Sequence, residues 1–159
     1  MRRRIGARHH TLVIAACAMF GAVVIAVGML TIDQPSGATT RRAALGPGTV
    51  TVRLDVKHSH FSPTQIVVRR HTTVRFVVVN HDPIGHELIV GDAAVHALHA
   101  MGTEATHPPR PGEVSVPANS RATTTFMFHD VGPVLYACHL PGHFEYGMKG
   151  TVEVVAAAD

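Results

Sequence analysis

The sequence predicts an all-β domain, a sandwich or barrel of seven or eight strands, that follows a single apolar helix. After residue 48, short segments rich in valine and threonine recur between turn residues, and several of them alternate apolar and polar side chains. Before that point, residues 11–32 carry no charged side chain. A chain of 159 residues has room for one such domain of about 110 residues and a targeting segment.

The apolar run at residues 11–32 has the length of a membrane span. As a helix it would reach roughly 33 Å at about 1.5 Å per residue, enough to cross a bilayer core of about 30 Å. The arginine-rich residues 1–10 precede it, which places them in the cytoplasm by the positive-inside rule. We therefore predict a transmembrane signal anchor at 11–32 and a single-pass protein of the cell membrane, with its C-terminal domain outside the cytoplasm.

Two features of the same region leave alternatives open. Small residues up to Ala38 resemble a cleavage site, and cleavage there would release a secreted domain, although the apolar core is longer than the ~7–15 residues usual for a signal peptide. Cys17 follows a lipobox-like stretch, and we interpret it as an ordinary residue of the membrane helix. Residues 33–48 are rich in proline, glycine, threonine and alanine, which predicts a flexible linker.

From residue 49 to residue 159 the pattern is that of strands separated by turns. Two segments alternate apolar and polar residues, and two others are rich in valine and threonine. The predicted strands are residues 49–56, 65–69, 72–80, 87–90, 113–116, 121–128, 134–138 and 150–155.

Residues 92–110 interrupt this rhythm. Helical propensity at residues 93–101 predicts about two turns of helix. The proline-rich residues 106–112 exclude both a helix and an interior strand. We expect a surface excursion that joins one sheet to the other.

The charge pattern argues against a nucleic-acid partner. The formal net charge is +3, and the arginines of the N-terminus and the linker supply much of the positive charge. The predicted domain has no basic patch and no interleaving of aromatic and basic residues of the kind that stacks bases. We expect no nucleic-acid binding and a monomeric soluble domain.

Cys138, His143 and Met148 follow one another at five-residue intervals just before the last predicted strand. A thiolate, an imidazole and a weak thioether on one loop, with one further histidine, are the donors of a type 1 (blue) copper site. The further histidine is predicted to be His86. The only other cysteine, Cys17, lies in the apolar run, so Cys138 has no disulfide partner within its own domain.

Two other interpretations of these residues stay open. One is that Cys138 is a buried cysteine of a β-domain with incidental histidine and methionine neighbours. Zinc is the chemical alternative to copper, but structural zinc sites usually hold several cysteines and methionine is rarely a ligand.

The run Cys-His-Leu-Pro-Gly-His-Phe-Glu-Tyr-Gly-Met at 138–148, with His86 and the segment His-Phe-Ser-Pro-Thr-Gln-Ile-Val-Val at 60–68, resembles the cupredoxin family. These are plastocyanin- and azurin-like blue copper proteins, and small exported copper proteins are the most similar type. The resemblance covers nearly all of residues 49–155 and implies a Greek-key β-sandwich or barrel. It also implies that His86 and His143 are equatorial ligands, Cys138 the thiolate and Met148 the axial ligand of one copper ion.

In that family the C-terminal histidine ligand lies at the surface within an apolar collar and passes the electron to a redox partner protein. Here Leu140, Pro141 and Phe144 would form the collar. The alternative is that these are ordinary hydrophobic residues of a loop with no role in docking.

The residues that flank Cys138 depart from related patterns. His139 stands where many cupredoxins have a small polar residue, and Ala137 stands where multicopper oxidases have histidine. An oxygen-reducing cluster is therefore not expected, nor is enzymatic activity. We predict that His139 hydrogen-bonds Glu87 beside the site, and Asn80 is a further candidate for a supporting residue.

The excursion holds further histidines. His96, His99 and His107 are candidates for a second, transient copper site, and a solvated histidine-rich surface is the alternative. These histidines favour a role in copper handling, as a chaperone, buffer or resistance protein. The complete set of cysteine, two histidines and methionine favours a one-electron carrier outside the membrane, which is the function that we predict.

Overall fold

The computed structural model of the chain describes residues 43–102, 106 and 108–157. All of them lie in the compact unit that spans residues 39–159. The predicted N-terminal anchor, the cleavage site near Ala38, most of the linker and His107 lie outside the described residues. None of the described helices is long and apolar enough to span a membrane.

The described part of the chain forms nine strands and two short helices. In chain order they are β1 (Gly48–Lys57), β2 (His60–Ser62), β3 (Gln65–Arg69), β4 (Thr72–Asn80), β5 (His86–Gly91), α1 (Ala93–Ala100), β6 (Glu113–Val116), β7 (Arg121–Phe128), β8 (Gly132–Ala137), α2 (His143–Tyr146) and β9 (Lys149–Val155).

The strands form two sheets, of order β2–β1–β4–β7 and β3–β9–β8–β5–β6. The pairs β1–β4 and β3–β9 are parallel, and the other neighbours are antiparallel. The predicted all-β architecture is confirmed, with one strand more than expected. The additional strand is β2, and its three residues are too few to produce a readable alternation.

The core lies between the two sheets, and alternation along each strand determines which side chains enter it. In β1 and β4, every second residue is buried, with Leu54 and Phe76 fully inside. The facing sheet contributes Val152 and Val154 of β9 and the ring of Tyr136 from β8. This burial holds the strand ends in fixed positions, because a slip of one residue would turn every core side chain outward.

Residues 45–48 belong to this domain rather than to a flexible linker. The Leu45 backbone pairs with β3, through N–H to the Val67 carbonyl at 3.0 Å and through its own carbonyl to Arg69 N–H at 2.8 Å. The linker predicted for residues 33–48 therefore overlaps the domain at its C-terminal end.

The excursion begins with the predicted helix. All six residues of β5 are buried, because one face lies in the core and α1 packs on the other. Asp92 caps α1 by accepting hydrogen bonds from Ala94 N–H and Val95 N–H at 2.9 and 3.0 Å. The helix thus covers the sheet directly beside the strand that begins with His86.

Candidate metal centre

The predicted ligands meet at one end of the second sheet. His86 is the first residue of β5, Cys138 follows the last residue of β8, and Met148 precedes the first residue of β9. These three strands are neighbours in the sheet. The strand register therefore brings together residues that lie far apart in the sequence.

The donor atoms are close enough to share one ion. Cys138 Sγ lies 3.2 Å from His143 Nδ1, and His86 Nδ1 lies 3.3 Å from the same nitrogen. All three donor atoms lie within 4.8 Å of one another, and among the described residues this is the group of three that could hold a metal. His86 and Cys138 are buried and His143 is half-buried. Met148 is fully buried next to them in sequence and joins the same core.

The loop from 138 to 148 is closed by its own backbone. Cys138 N–H donates to the Met148 carbonyl at 3.1 Å, and Met148 N–H donates to the His143 carbonyl at 3.0 Å. Gly142 and Gly147 flank helix α2 with φ of 80° and 101°, the left-handed region that glycine adopts without strain. The two glycines therefore let His143 turn back toward Cys138.

The Cys138 sulfur accepts backbone hydrogen bonds that favour the thiolate, but without a bound cation the thiol form is favoured. Burial raises the pKa of this thiol to about 11, although the backbone N–H groups of Glu87 and Leu140 donate to the sulfur and act in the opposite direction. A bound cation would supply the missing stabilisation, since thiolates are the form that binds metals. The two N–H donors are of the kind that tunes a metal–thiolate bond.

Asp82 fixes the orientation of the His86 ring. Its Oδ2 lies 3.0 Å from His86 Nε2, and both side chains are almost completely buried. The carboxylate therefore accepts the Nε2 proton, and the Nδ1 lone pair points at His143 and Cys138. Burial lowers the pKa of His86 and the Asp82 hydrogen bond only partly opposes this, so the ring is in the neutral form that binds metals.

Asp82 was missed by sequence reasoning. The signal that could have found it is a carboxylate four residues before the histidine on the same connection. Asp82 is itself held by His58 N–H at 2.7 Å and Ser59 N–H at 2.8 Å. Burial acts to raise the pKa of Asp82, but these two bonds together with the interaction with His86 outweigh it and lower the pKa, so the carboxylate is ionised at neutral pH.

Asn80 supports the loop rather than the ligands. Its side-chain NH₂ donates to the carbonyls of Ile84, Val116 and Pro117 at 2.8, 3.2 and 2.9 Å. Its side-chain oxygen accepts Asp82 N–H at 2.9 Å. Asn80 therefore ties the loop before His86 to the end of β6.

The predicted hydrogen bond between His139 and Glu87 forms through the backbone of His139. Glu87 Oε1 accepts the backbone N–H of His139 at 2.7 Å. The ring of His139 instead stacks on Phe144 with centroids 5.0 Å apart, and its Nε2 lies 2.8 Å from His96 Nδ1. Phe144 and His96 thus hold the ring of His139.

The predicted collar residues differ in exposure. Leu140 packs against the core, Pro141 is exposed, and Phe144 is half-buried with the Lys149 ammonium 4.3 Å above its ring. Ile84, on the loop before His86, is 48% exposed and was not predicted.

Two of the predicted accessory histidines lie near each other but bind different atoms. His96 is buried against His139, whereas His99 Nδ1 lies 2.8 Å from the Val95 carbonyl and Nε2 lies 3.6 Å from Glu113. The His99 ring centroid is 6.2 Å from that of His139. His107 is not among the described residues.

The donor set fits copper. One thiol and two imidazoles, with no carboxylate among the three, form the soft trigonal arrangement that suits copper, and a structural zinc site would usually hold more cysteines.

Comparisons with known proteins agree with this chemistry. A model of the family described as copper binding proteins, plastocyanin/azurin family, matches residues 48–155. The copper-resistant cuproprotein CopI of Rubrivivax gelatinosus is 40% identical over 97 residues, which cover 59% of this chain and 59% of that protein. The chain thus spans less than two thirds of that relative. Auracyanin-B of Chloroflexus aurantiacus is 30% identical over 147 residues, 76% of this chain and 63% of the relative.

The structural comparison gives the same family. Auracyanin A, a blue copper protein from Chloroflexus aurantiacus, superposes with a TM-score of 0.54 at 25% identity and covers 68% of this chain and 100% of its own. Copper is the metal that the family and the donor set share. The chain belongs to the plastocyanin/azurin family of copper-binding proteins.

Proposed function

We propose that the protein is a one-electron carrier with a single type 1 copper site, held outside the cytoplasmic membrane. The observation that carries this proposal is the buried group of His86, Cys138 and His143, whose donor atoms converge from ordered strand ends and a hydrogen-bonded loop. His86 and His143 would be the equatorial imidazoles, Cys138 the thiolate and Met148 the axial thioether.

When bound, copper supplies a one-electron couple between Cu(I) and Cu(II). The chain's own contribution is rigidity. The sulfur of Cys138 keeps its two backbone N–H donors, and Asp82 keeps His86 in one tautomer and one orientation. Donors that stay in place in both oxidation states keep the rearrangement on electron transfer small.

The electron would leave through His143, the half-buried ligand. Pro141 lies two residues before His143 and Ile84 lies two residues before His86, and both are exposed. They would offer an apolar docking surface to a redox partner protein, whose identity stays open. The predicted N-terminal anchor would hold the domain at the membrane, and cleavage near Ala38 would release it.

Copper handling is the second candidate, as a chaperone, buffer or resistance protein. The specific observation in its favour is the 40% identity to a protein named as a copper-resistant cuproprotein. In this role the copper would leave with its partner, whereas in a carrier only the electron leaves.

The test is to load the full chain with Cu(II) and to record its visible absorption and EPR spectra, with Cys138→Ser as the comparison. An intense thiolate-to-copper band and a narrow copper hyperfine splitting, both lost in the variant, would support the type 1 assignment. A weak signal that persists in Cys138→Ser would refute it. Repeated voltammetric cycles without loss of copper would favour the carrier, and rapid transfer of copper to a chelator would favour handling.

A further inference from the structure

His96 and His139 form a second pair of imidazoles outside the proposed copper site. His96 comes from α1 and is only 7% exposed, and its Nδ1 lies 2.8 Å from His139 Nε2. Both side chains line a cavity of about 660 Å³ between α1 and the loop that follows Cys138. Asp92 and Glu145 line the same cavity, and the Asp92 carboxylate is engaged in capping α1.

The hydrogen-bond network fixes how this pair is protonated. His96 Nε2 lies 3.2 Å from the Leu135 carbonyl, so that nitrogen carries the proton and His96 Nδ1 holds a lone pair. The proton between the two rings therefore belongs to His139 Nε2. If this proton moves to Nδ1 of the same ring, both nitrogens present lone pairs to each other and no charge changes. The ring centroids lie 5.1 Å apart, so the two nitrogens face each other nearly in line. A turn of the rings toward the cavity, together with the tautomer shift, converts the pair into a two-nitrogen ligand.

The spacing of the two nitrogens suits one metal ion. Two metal–imidazole bonds of about 2.0 Å at a right angle place their nitrogens about 2.8 Å apart. Right-angle nitrogen and oxygen donors are the tetragonal geometry that Cu(II) prefers, and Cu(II) binds such donors more tightly than other divalent first-row metals. The cavity leaves space for water on the remaining positions, and Glu145 offers a carboxylate oxygen.

We infer that His96 and His139 form a second metal site, which binds Cu(II) through His96 Nδ1 and His139 Nε2 and completes its coordination from the cavity. This site shares no ligand with the proposed type 1 site and does not depend on that assignment. It also replaces the accessory site expected from the sequence, because His139 takes the place of His99, whose Nδ1 faces the Val95 carbonyl.

The test uses the full chain with the first site removed by Cys138→Ser and His143→Ala. Titration with Cu(II), followed by EPR, is expected to give one tetragonal signal with a wide copper hyperfine splitting and nitrogen couplings from two imidazoles. Adding His96→Asn removes one of the two imidazole ligands and should weaken this Cu(II) binding at least about tenfold, because loss of a group that only orients a ligand already costs about 10–100-fold. The matched control is His81→Asn, which removes an exposed histidine paired with Asp55 and should leave the affinity unchanged.

Two measurements keep the result interpretable. Urea denaturation of the metal-free chain, recorded with and without His96→Asn, reports whether the fold survives the substitution. His139→Gln removes the second nitrogen from the more exposed partner and should weaken Cu(II) to the same extent. If neither substitution changes the affinity, or if His81→Asn lowers it as much, the bound Cu(II) lies on surface histidines and the proposal is overturned.

Discussion

Asp82→Asn tests the support that the structure gives to His86. In the native protein, Asp82 Oδ1 accepts His58 N–H at 2.7 Å, while Oδ2 accepts Ser59 N–H at 2.8 Å and lies 3.0 Å from His86 Nε2. An asparagine has one acceptor oxygen and one NH₂ group. If the asparagine oxygen replaces Oδ2, it keeps the bonds with Ser59 and His86, but the NH₂ group then faces the His58 N–H and that bond is lost. If the oxygen replaces Oδ1, the bonds with Ser59 N–H and His86 Nε2 are both lost.

The variant therefore loses at least one buried hydrogen bond to a charged acceptor, worth about 1.5–3 kcal/mol. We expect the free energy of unfolding of the copper-free protein to fall by about 2 kcal/mol. Loss of a group that orients a ligand typically weakens metal binding by about 10–100-fold, and we expect that range for Cu(II). The reduction potential should rise, because removal of a negative charge near the site disfavours the more highly charged Cu(II).

Urea denaturation of the copper-free protein measures the first quantity, chelator competition the second and voltammetry the third. Asp130→Asn is the matched control, since it removes one exposed carboxylate and changes the net charge equally. A folded Asp82→Asn protein with native Cu(II) affinity and native potential would refute the role given to this carboxylate. If Asp82→Asn and Asp130→Asn change stability, Cu(II) affinity and potential equally, the effect comes from net charge alone.

Two further predictions concern the scaffold. Gly150→Ala should lower the free energy of unfolding, measured with urea, by about 1–3 kcal/mol, because a Cβ there would lie 2.2 Å from the Tyr136 hydroxyl. Gly85→Ala is the control and should have little effect, because the nearest atom to its Cβ would be 4.0 Å away. Equal losses in the two variants would contradict the packing argument. Asp55 has its pKa lowered to about 2, first by its hydrogen bond with Arg53, so the native state binds this proton less readily than the unfolded chain and stability is lost as the pH falls from about 4 to about 2. The pair is exposed, so the contribution stays below about 1 kcal/mol; Asp55→Asn should flatten this part of the pH profile of stability, and an unchanged slope would show that the pair contributes nothing.

The sequence predicted most of the sheet because alternation survives in long, half-buried strands. The strands at 65–69, 72–80, 113–116 and 121–128 have the predicted bounds. The short strand β2 was not predicted because three residues are too few to show an alternating pattern. Local pattern is therefore a sufficient guide wherever one face of a strand meets the core and the other meets solvent or a polar neighbour.

In the candidate site, too, the residues marked by a local pattern could be predicted, and the contacts that depend on the fold could not. Cys138 and His143 could be predicted because their chemical types are rare in combination and their spacing is local, and His86 because it follows an earlier predicted strand. For Asp82 the sequence offered only its place four residues before His86. The pairing of His96 with His139 could not be predicted, because it depends on how α1 and the loop after Cys138 fold back on the sheet. The choice between the backbone and the ring of His139 as the donor to Glu87 likewise depends on a neighbour, Phe144, that only the folded loop supplies.

The origin of each donor also bears on the choice between electron transfer and copper handling. His86 and Cys138 adjoin strands of one sheet, and the Cys138 backbone is hydrogen-bonded to Met148 at the start of β9. Moving any of these would require a change of strand register, which turns core side chains outward. His143 alone lies on a short turn of helix between two glycines in left-handed conformations, and it is only half-buried. A carrier needs all the donors to stay in place, whereas a protein that hands over copper needs one donor that can leave first, and the fold makes His143 that donor. The stiffness of the turn at 142–147 is therefore the property of this chain on which the two functions differ most.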